Sequence, residues 1–157
     1  MTAALDWISN FLYAAILAGV PLLFGTLGEI LTEKAGNINL GVEGMMYMGA
    51  VFGFMGAYYL DSAIATLLFA FLGGLGGALV YAFLTVTLKA NQNVAGLTLT
   101  IFGTGLANLL GTNMINGSGS GAAMVSDAMK AFFRPMDMGA LTAIPYLGKL
   151  LFNHSLF

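Results

Sequence analysis

Four apolar runs separated by short polar clusters organise most of the chain. Positions 7–28 hold 22 residues without a charge, 45–60 hold 16, 63–88 hold 26 and 94–115 hold 22. A helix that crosses a bilayer needs about 20 predominantly apolar residues, so the first, third and fourth runs are long enough. The second is short, and either borrows length from the polar stretch before it or forms a half-helix. The pattern predicts an all-α fold: a polytopic transmembrane helical bundle with spans over 7–28, 40–60, 63–88 and 94–115. A broken or re-entrant helix is expected near 36–46. Asp61-Ser62 makes a tight turn between the second and third spans, and Lys89 with Asn91-Gln92-Asn93 forms a polar knot before the fourth.

From position 116 the pattern changes. Gly117, Gly119 and Gly121 alternate with Ser118 and Ser120. This run lacks the Gly-Lys-Ser/Thr ending of a phosphate-binding loop and reads as a flexible connection. Asp127, Lys130, Arg134, Pro135 and Asp137 then sit among apolar residues, which predicts an external loop over 116–157 with an interfacial helix. Ile144-Pro145-Tyr146-Leu147-Gly148 and the residues to Phe157 read as a loop running toward a further apolar span. The expectation is a single membrane domain over 1–157, truncated at its C-terminal side.

Composition sharpens the class. Hydrophobic residues make up 59% of the chain and charged residues 8%, with a mean hydropathy of +0.88. Soluble domains carry about 25% charged residues, so this is an integral membrane protein surrounded by lipid. The first run is too long for the apolar core of a cleavable signal, and Met1 to Asp6 lack its positive charge. Lys34 and Lys89 fall on one side of the predicted spans, which the positive-inside tendency makes cytoplasmic; Asp61 and the N-terminus then lie outside. Lys130 and Arg134 vote the other way. The absence of cysteine removes disulfides, thiolate zinc sites and thiol nucleophiles. A net charge of −2 makes no case for nucleic acid. With His154 as the one histidine, neither a metal site nor a Ser-His-Asp triad has enough members, so catalysis is not expected.

The candidate chemistry lies in the polar interruptions. Irregular, glycine-rich backbone at membrane depth is tolerated where it is buried in protein or lines a cavity, and transporters turn such breaks toward a substrate. Glu43 is a solute contact or the acidic cap of the following helix, two compatible roles. Asn37 and Asn39, two apart, offer amides to one side of an extended stretch or shape a turn; Gln92 and Asn93 allow the same pair of readings. Thr100, Thr104 and Asn108 recur every four residues and share a helical face. They line a polar path or bond helix backbone. Gly49 with Gly53, and Gly73 with Gly77, have the spacing of close helix packing.

The stretch from Gly28 to Met46, with Glu33-Lys34-Ala35-Gly36-Asn37-Ile38-Asn39-Leu40-Gly41-Val42-Glu43-Gly44 at its centre, resembles a motif of bacterial ATP-binding-cassette (ABC) importer permeases, in the nucleoside and simple-sugar branch. The pattern there is Glu-(Lys/Arg)-(Ala/Ser)-Gly-x-x-Asn-(Ile/Leu)-Gly-x-Glu-Gly. The segment from Asn91 to Gly105 is similar to a second block of these permeases, and Ile144 to Gly148 with Leu151-Phe152-Asn153 resembles their external loop. The resemblance implies a multi-pass subunit of the bacterial cell membrane that binds no cofactor itself and works by alternating access. Its partners would be a second permease subunit, cytoplasmic ATP-binding subunits that use the ATP, and an extracytoplasmic binding protein or lipoprotein. Asn37, Asn39, Glu43 and the Gln92 region would be cavity or gate residues. The ribose-type branch has an Asp-Leu-Ser-type sequence where this chain has Asn39-Leu40-Gly41, which favours nucleosides over sugars. A membrane scaffold is the reading from a different class. It would predict tolerance of substitutions at Asn37 and Glu43.

Overall fold

The computed structural model describes residues 2–119, 121–135, 139, 148, 150 and 153–155. Among them the chain forms five helices and no strand: α1 (Thr2–Lys34), α2 (Val42–Leu60), α3 (Ala63–Ala82), α4 (Gln92–Gly117) and the short α5 (Asp127–Phe132). A π turn over Phe83–Thr87 prolongs α3. Among the described residues three stretches are long and apolar enough to cross a membrane: Ala4–Lys34, Ala63–Thr87 and Gln92–Gly117. The 19 residues of α2 fall outside that set, because its glycines, tyrosines and Glu43 dilute its apolar character. The expected loop over Ile144–Leu147, with Leu151 and Phe152, lies outside the described residues.

The chain divides into two compact units. One comprises Met1–Phe24 and Lys130–Phe157. Within it the Tyr13 hydroxyl donates to the Asn153 carbonyl at 2.9 Å, and the Tyr13 ring stacks on His154 with centroids 5.4 Å apart. The other, Gly25–Met129, contains the last turns of α1 and all of α2, α3 and α4. Here α2 is the enclosed helix. It buries Gly44, Met48, Val51, Gly53, Gly56 and Ala57 between α3 on one side and α4 on the other. Tyr81, Ala95 and Leu99 form the buried cluster, with Met45 and Leu84 packed against it. Ile64, Ile101 and Leu31, at least 70% exposed, are the outward apolar surface that a lipid-facing helix carries.

Glycine permits the close packing of α2 on α3. A Cβ on Gly49 would stand 3.1 Å from the Ala70 carbonyl oxygen, one on Gly53 2.9 Å from Ala70 Cβ, and one on Gly73 2.9 Å from the Met48 carbonyl oxygen; Gly77 faces Met45 and Met48 at 3.1 and 3.2 Å. At the far corner Asp61 adopts left-handed backbone (φ 46°) and ends α2, while the Ser62 hydroxyl caps α3. Ser126 donates to Asp61 Oδ1 at 2.5 Å and accepts the Met129 N–H, which joins the start of α5 to this corner.

Two expectations change in detail. The first helix is longer than the expected span over 7–28: α1 continues through Glu29 and Glu33 to Lys34, because long-chain acids and lysine are good helix formers. The 117–121 run begins inside α4 and contains left-handed glycines at 119 (φ 65°) and 121 (φ 73°).

Candidate functional site

The glycine-punctuated segment is a sharply defined turn. Gly36 has φ 84°, its N–H donates to the Glu33 carbonyl at 2.9 Å, and the Asn37 N–H donates to the Thr32 carbonyl at 3.0 Å. These are the paired bonds of a Schellman cap, with glycine in the left-handed position that a Cβ would strain. The chain then runs without regular structure through residues 37–39. Asn39 turns it again: its Oδ1 accepts the Gly41 N–H at 3.0 Å, and α2 starts at Val42.

Side chains from three helices hold this segment. From α1, Glu29 Oε1 accepts the Asn39 N–H at 2.7 Å, while its other oxygen accepts the Thr32 hydroxyl at 3.0 Å. From α3, the buried Tyr81 hydroxyl donates to the Ile38 carbonyl at 2.6 Å. From α4, Gln92 Oε1 accepts the Ile38 N–H at 2.9 Å and its Nε2 donates to Asn37 Oδ1 at 3.0 Å. Thr100, also on α4, donates to the Leu40 carbonyl at 2.9 Å. Polar backbone groups inside an apolar layer need such partners, and here side chains supply them.

The segment climbs along α4 as it goes. Ile38 pairs with Gln92, the first residue of α4. A Cβ on Gly96 would stand 2.8 Å from the Leu40 nitrogen, and the backbones of Gly44 and Gly103 lie against each other. The start of α2 therefore lies beside Leu99, about 10 Å beyond the start of α4 at 1.5 Å per residue. This inset shortens α2, and it places the unbonded N–H groups of its first turn and Glu43 well beyond the start of α4. Gly41, Gly44, Gly96 and Gly103 make the approach possible, since Cβ atoms at these positions would press on backbone.

The eight predicted polar residues separate into groups. Asn37, Asn39 and Gln92 meet in the turn. Asn39 is only 5% exposed, with its amide nitrogen 3.6 Å from Met45 Sδ, so it braces backbone. Thr100 bonds the loop, and Thr104 donates to the Thr100 and Ile101 carbonyls of its own helix. Glu43, Asn93 and Asn108 are exposed. Gln92 opens α4, where Asn91 Oδ1 accepts the N–H groups of Asn93 and Val94. Sequence reasoning missed Glu29 and Tyr81. Glu29 directly follows the first apolar run, a position that does not announce a backbone partner ten residues on. Tyr81 had none, being one aromatic among many. An apolar pocket of about 260 Å³ between α2 and α3, lined by Met48, Phe52, Phe69, Leu72, Gly73 and Gly76, offers a polar solute no hydrogen bond. Among the described residues no cluster of histidine and carboxylates could hold a metal ion.

Comparison with known proteins identifies the family. The chain is 33% identical to a putative glucose ABC transporter permease protein of Haloferax volcanii over 97% of its own length and 50% of the relative's. It is 28% identical to a guanosine ABC transporter permease protein of Bacillus subtilis (93% and 46%) and 29% identical to a nucleoside ABC transporter permease protein of Lactococcus lactis (89% and 44%). The chain thus spans about half the length of the curated relatives it matches. No solved structure matches it significantly. The family described as branched-chain amino acid transport system / permease component matches residues 10–146. With its crossing-length helices and these relatives, the chain is a membrane protein and not an enzyme, and it belongs to that family of ABC transporter permeases, in the branch of sugar and nucleoside permeases.

Proposed function

We propose that the chain forms part of the membrane pathway of an ATP-driven importer of nucleosides, working by alternating access. The observation that carries this reading is similarity along nearly the whole chain to permeases described for guanosine and nucleosides. The inset start of α2 supports it, because a helix N-terminus opened away from the membrane surface offers backbone donors to a neutral polar solute. In this reading Glu43, Asn93 and Asn108 meet the solute or its water, while Asn37, Asn39, Gln92, Thr100 and Thr104 shape the wall behind them. A second permease subunit completes the pathway in the cell membrane. Cytoplasmic ATP-binding subunits hydrolyse the ATP, and an extracytoplasmic binding protein delivers the solute. The segment with Lys34 and Lys89 faces the ATP-binding subunits.

A simple sugar is the second reading, favoured by the relative described as a putative glucose permease. Uptake of labelled guanosine in cells with and without the gene separates the two, with partner genes intact and excess guanosine, glucose or ribose as competitor. Gene-dependent uptake blocked by guanosine alone supports the nucleoside reading, and gene-dependent sugar uptake moves the assignment to sugars. Unchanged uptake by Glu43→Gln at normal protein levels would remove Glu43 from the pathway.

A further inference from the structure

The four-residue spacing that connects Thr100, Thr104 and Asn108 continues through Thr112 and Asn116 to the end of α4. Each such step advances about 40° around a helix of 3.6 residues per turn, so the row winds off the α2 side toward the opposite face. Its first members are bonded: Thr100 to the Leu40 carbonyl and Thr104 to the Thr100 carbonyl. Its last members, Asn108, Thr112 and Asn116, are exposed, and none of their side chains has a hydrogen-bond partner among the described residues. Beside them, a Cβ added to Gly105 or Gly111 would meet nothing within 4 Å. The row therefore leaves the protein interior half-way along a helix long and apolar enough to cross a membrane.

Asn108 lies about 24 Å along α4 from Gln92 at 1.5 Å per residue, well inside a crossing helix. An unpaired amide or hydroxyl facing hydrocarbon is costly; polar groups within a membrane turn toward a bundle interior or a water-filled cavity. The 26 residues of α4 carry no charge. A face of neutral amides and hydroxyls matches a solute that presents hydroxyl groups and has no net or zwitterionic charge to balance.

Resting on the transport reading above, we infer that Asn108 and Thr112, with Asn116 at the rim, line the hydrated route of a neutral hydroxylated solute. Thr100 and Thr104, lower in the same row, anchor the inset turn. One helix edge thus serves two purposes: its first half locks the start of α2, and its second half wets the pathway.

These 157 residues contain no cysteine; any cysteine elsewhere in the full-length protein or its partners is first replaced by serine, so that single cysteines report cleanly. Asn108→Cys and Thr112→Cys would be compared with Phe71→Cys, on the exposed apolar side of α3. The full-length protein would be assembled with its partners in cells and labelled with a membrane-impermeant maleimide. Because the hydrated thiolate is the reacting form, the two α4 positions should label at least about tenfold faster than Phe71→Cys. Saturating guanosine or glucose should slow them several-fold. Labelling at the Phe71→Cys rate would overturn the inference and assign the face to lipid, a neighbouring helix or a second copy. Fast labelling that neither solute slows would also overturn it. Uptake by the cysteine-free parent is measured alongside. Uptake with unreactive cysteines sinks this assignment alone, whereas absence of uptake of either solute sinks the transport reading.

Discussion

Adding one methyl group at Gly44 tests the central packing claim. A Cβ there would stand 2.7 Å from Thr100 Cα and 2.8 Å from the Leu99 carbonyl carbon. Carbon atoms settle at about 3.5–4.0 Å, so α2 and α4 must part by roughly 1 Å. Both obstacles are backbone and cannot rotate away. Overpacking of this kind costs about 1–3 kcal/mol, offset by up to about 1 kcal/mol from alanine's better helix propensity. Parting the helices also stretches the bond from Thr100 to the Leu40 carbonyl, which adds about 1 kcal/mol. Gly44→Ala should therefore lose about 2 kcal/mol, and the unfolding temperature should fall by about 4–8 °C at 2–4 °C per kcal/mol. The control is Gly105→Ala on α4, where nothing lies within 4 Å of the new atom; propensity alone acts there, so stability should hold or rise. Thermal unfolding of the detergent-purified protein is the measurement. Equal unfolding temperatures for the two variants would refute the reasoning. Gly103 faces Gly44 across the same contact, so the Gly44→Ala/Gly103→Ala double variant should lose less than the sum of the singles.

Other substitutions probe the turn. Tyr81→Phe removes the 2.6 Å bond to the Ile38 carbonyl and should cost about 1–2 kcal/mol, read by the same thermal assay. Glu29→Ala orphans the Asn39 N–H and should cost about 1–3 kcal/mol, whereas Glu29→Gln keeps an acceptor and should cost less; equal losses would contradict the bonding described. Gln92→Glu sets a carboxylate against Asn37 Oδ1 and the Gly36 carbonyl, so it should be less stable than Gln92→Met, with faster proteolysis of the 36–41 turn as the second readout. Lys89 sits in left-handed backbone (φ 52°), and Lys89→Gly should raise stability by about 0.5–1 kcal/mol, measured by unfolding temperature.

What the sequence made legible followed from local pattern. The long apolar runs located α1, α3 and α4, whereas the end of α1 was placed at 28 and the cap at Gly36 was not read. Asp61-Ser62 marked the corner between α2 and α3. The missing part depends on pairings distant along the chain. Tyr81 and Ile38 are 43 residues apart, Gln92 and Ile38 54, and Thr100 and Leu40 60. No periodicity encodes such pairs. Gly96 and Gly103 also escaped notice, because seven-residue spacing carries no distinctive signal in a chain with 22 glycines. The polar row on α4 was only half seen: its first three members are close together, and the winding that exposes the rest shows only once α2 is packed beside them.

The π turn at the end of α3 has a consequence for how the chain tolerates changes in length. Between Phe83 and Thr87 the bonding skips five residues, as in the Leu88 N–H to the Phe83 carbonyl at 3.0 Å, so this turn holds one residue more than an α turn needs. Deleting one residue there restores ordinary winding, and the irregular stretch before Gln92 absorbs the change in phase. The same deletion between Gly77 and Tyr81 would swing the tyrosine by about 100°, away from the carbonyl it holds. Insertions and deletions among relatives should therefore collect between Phe83 and Asn91 and avoid residues 78–81.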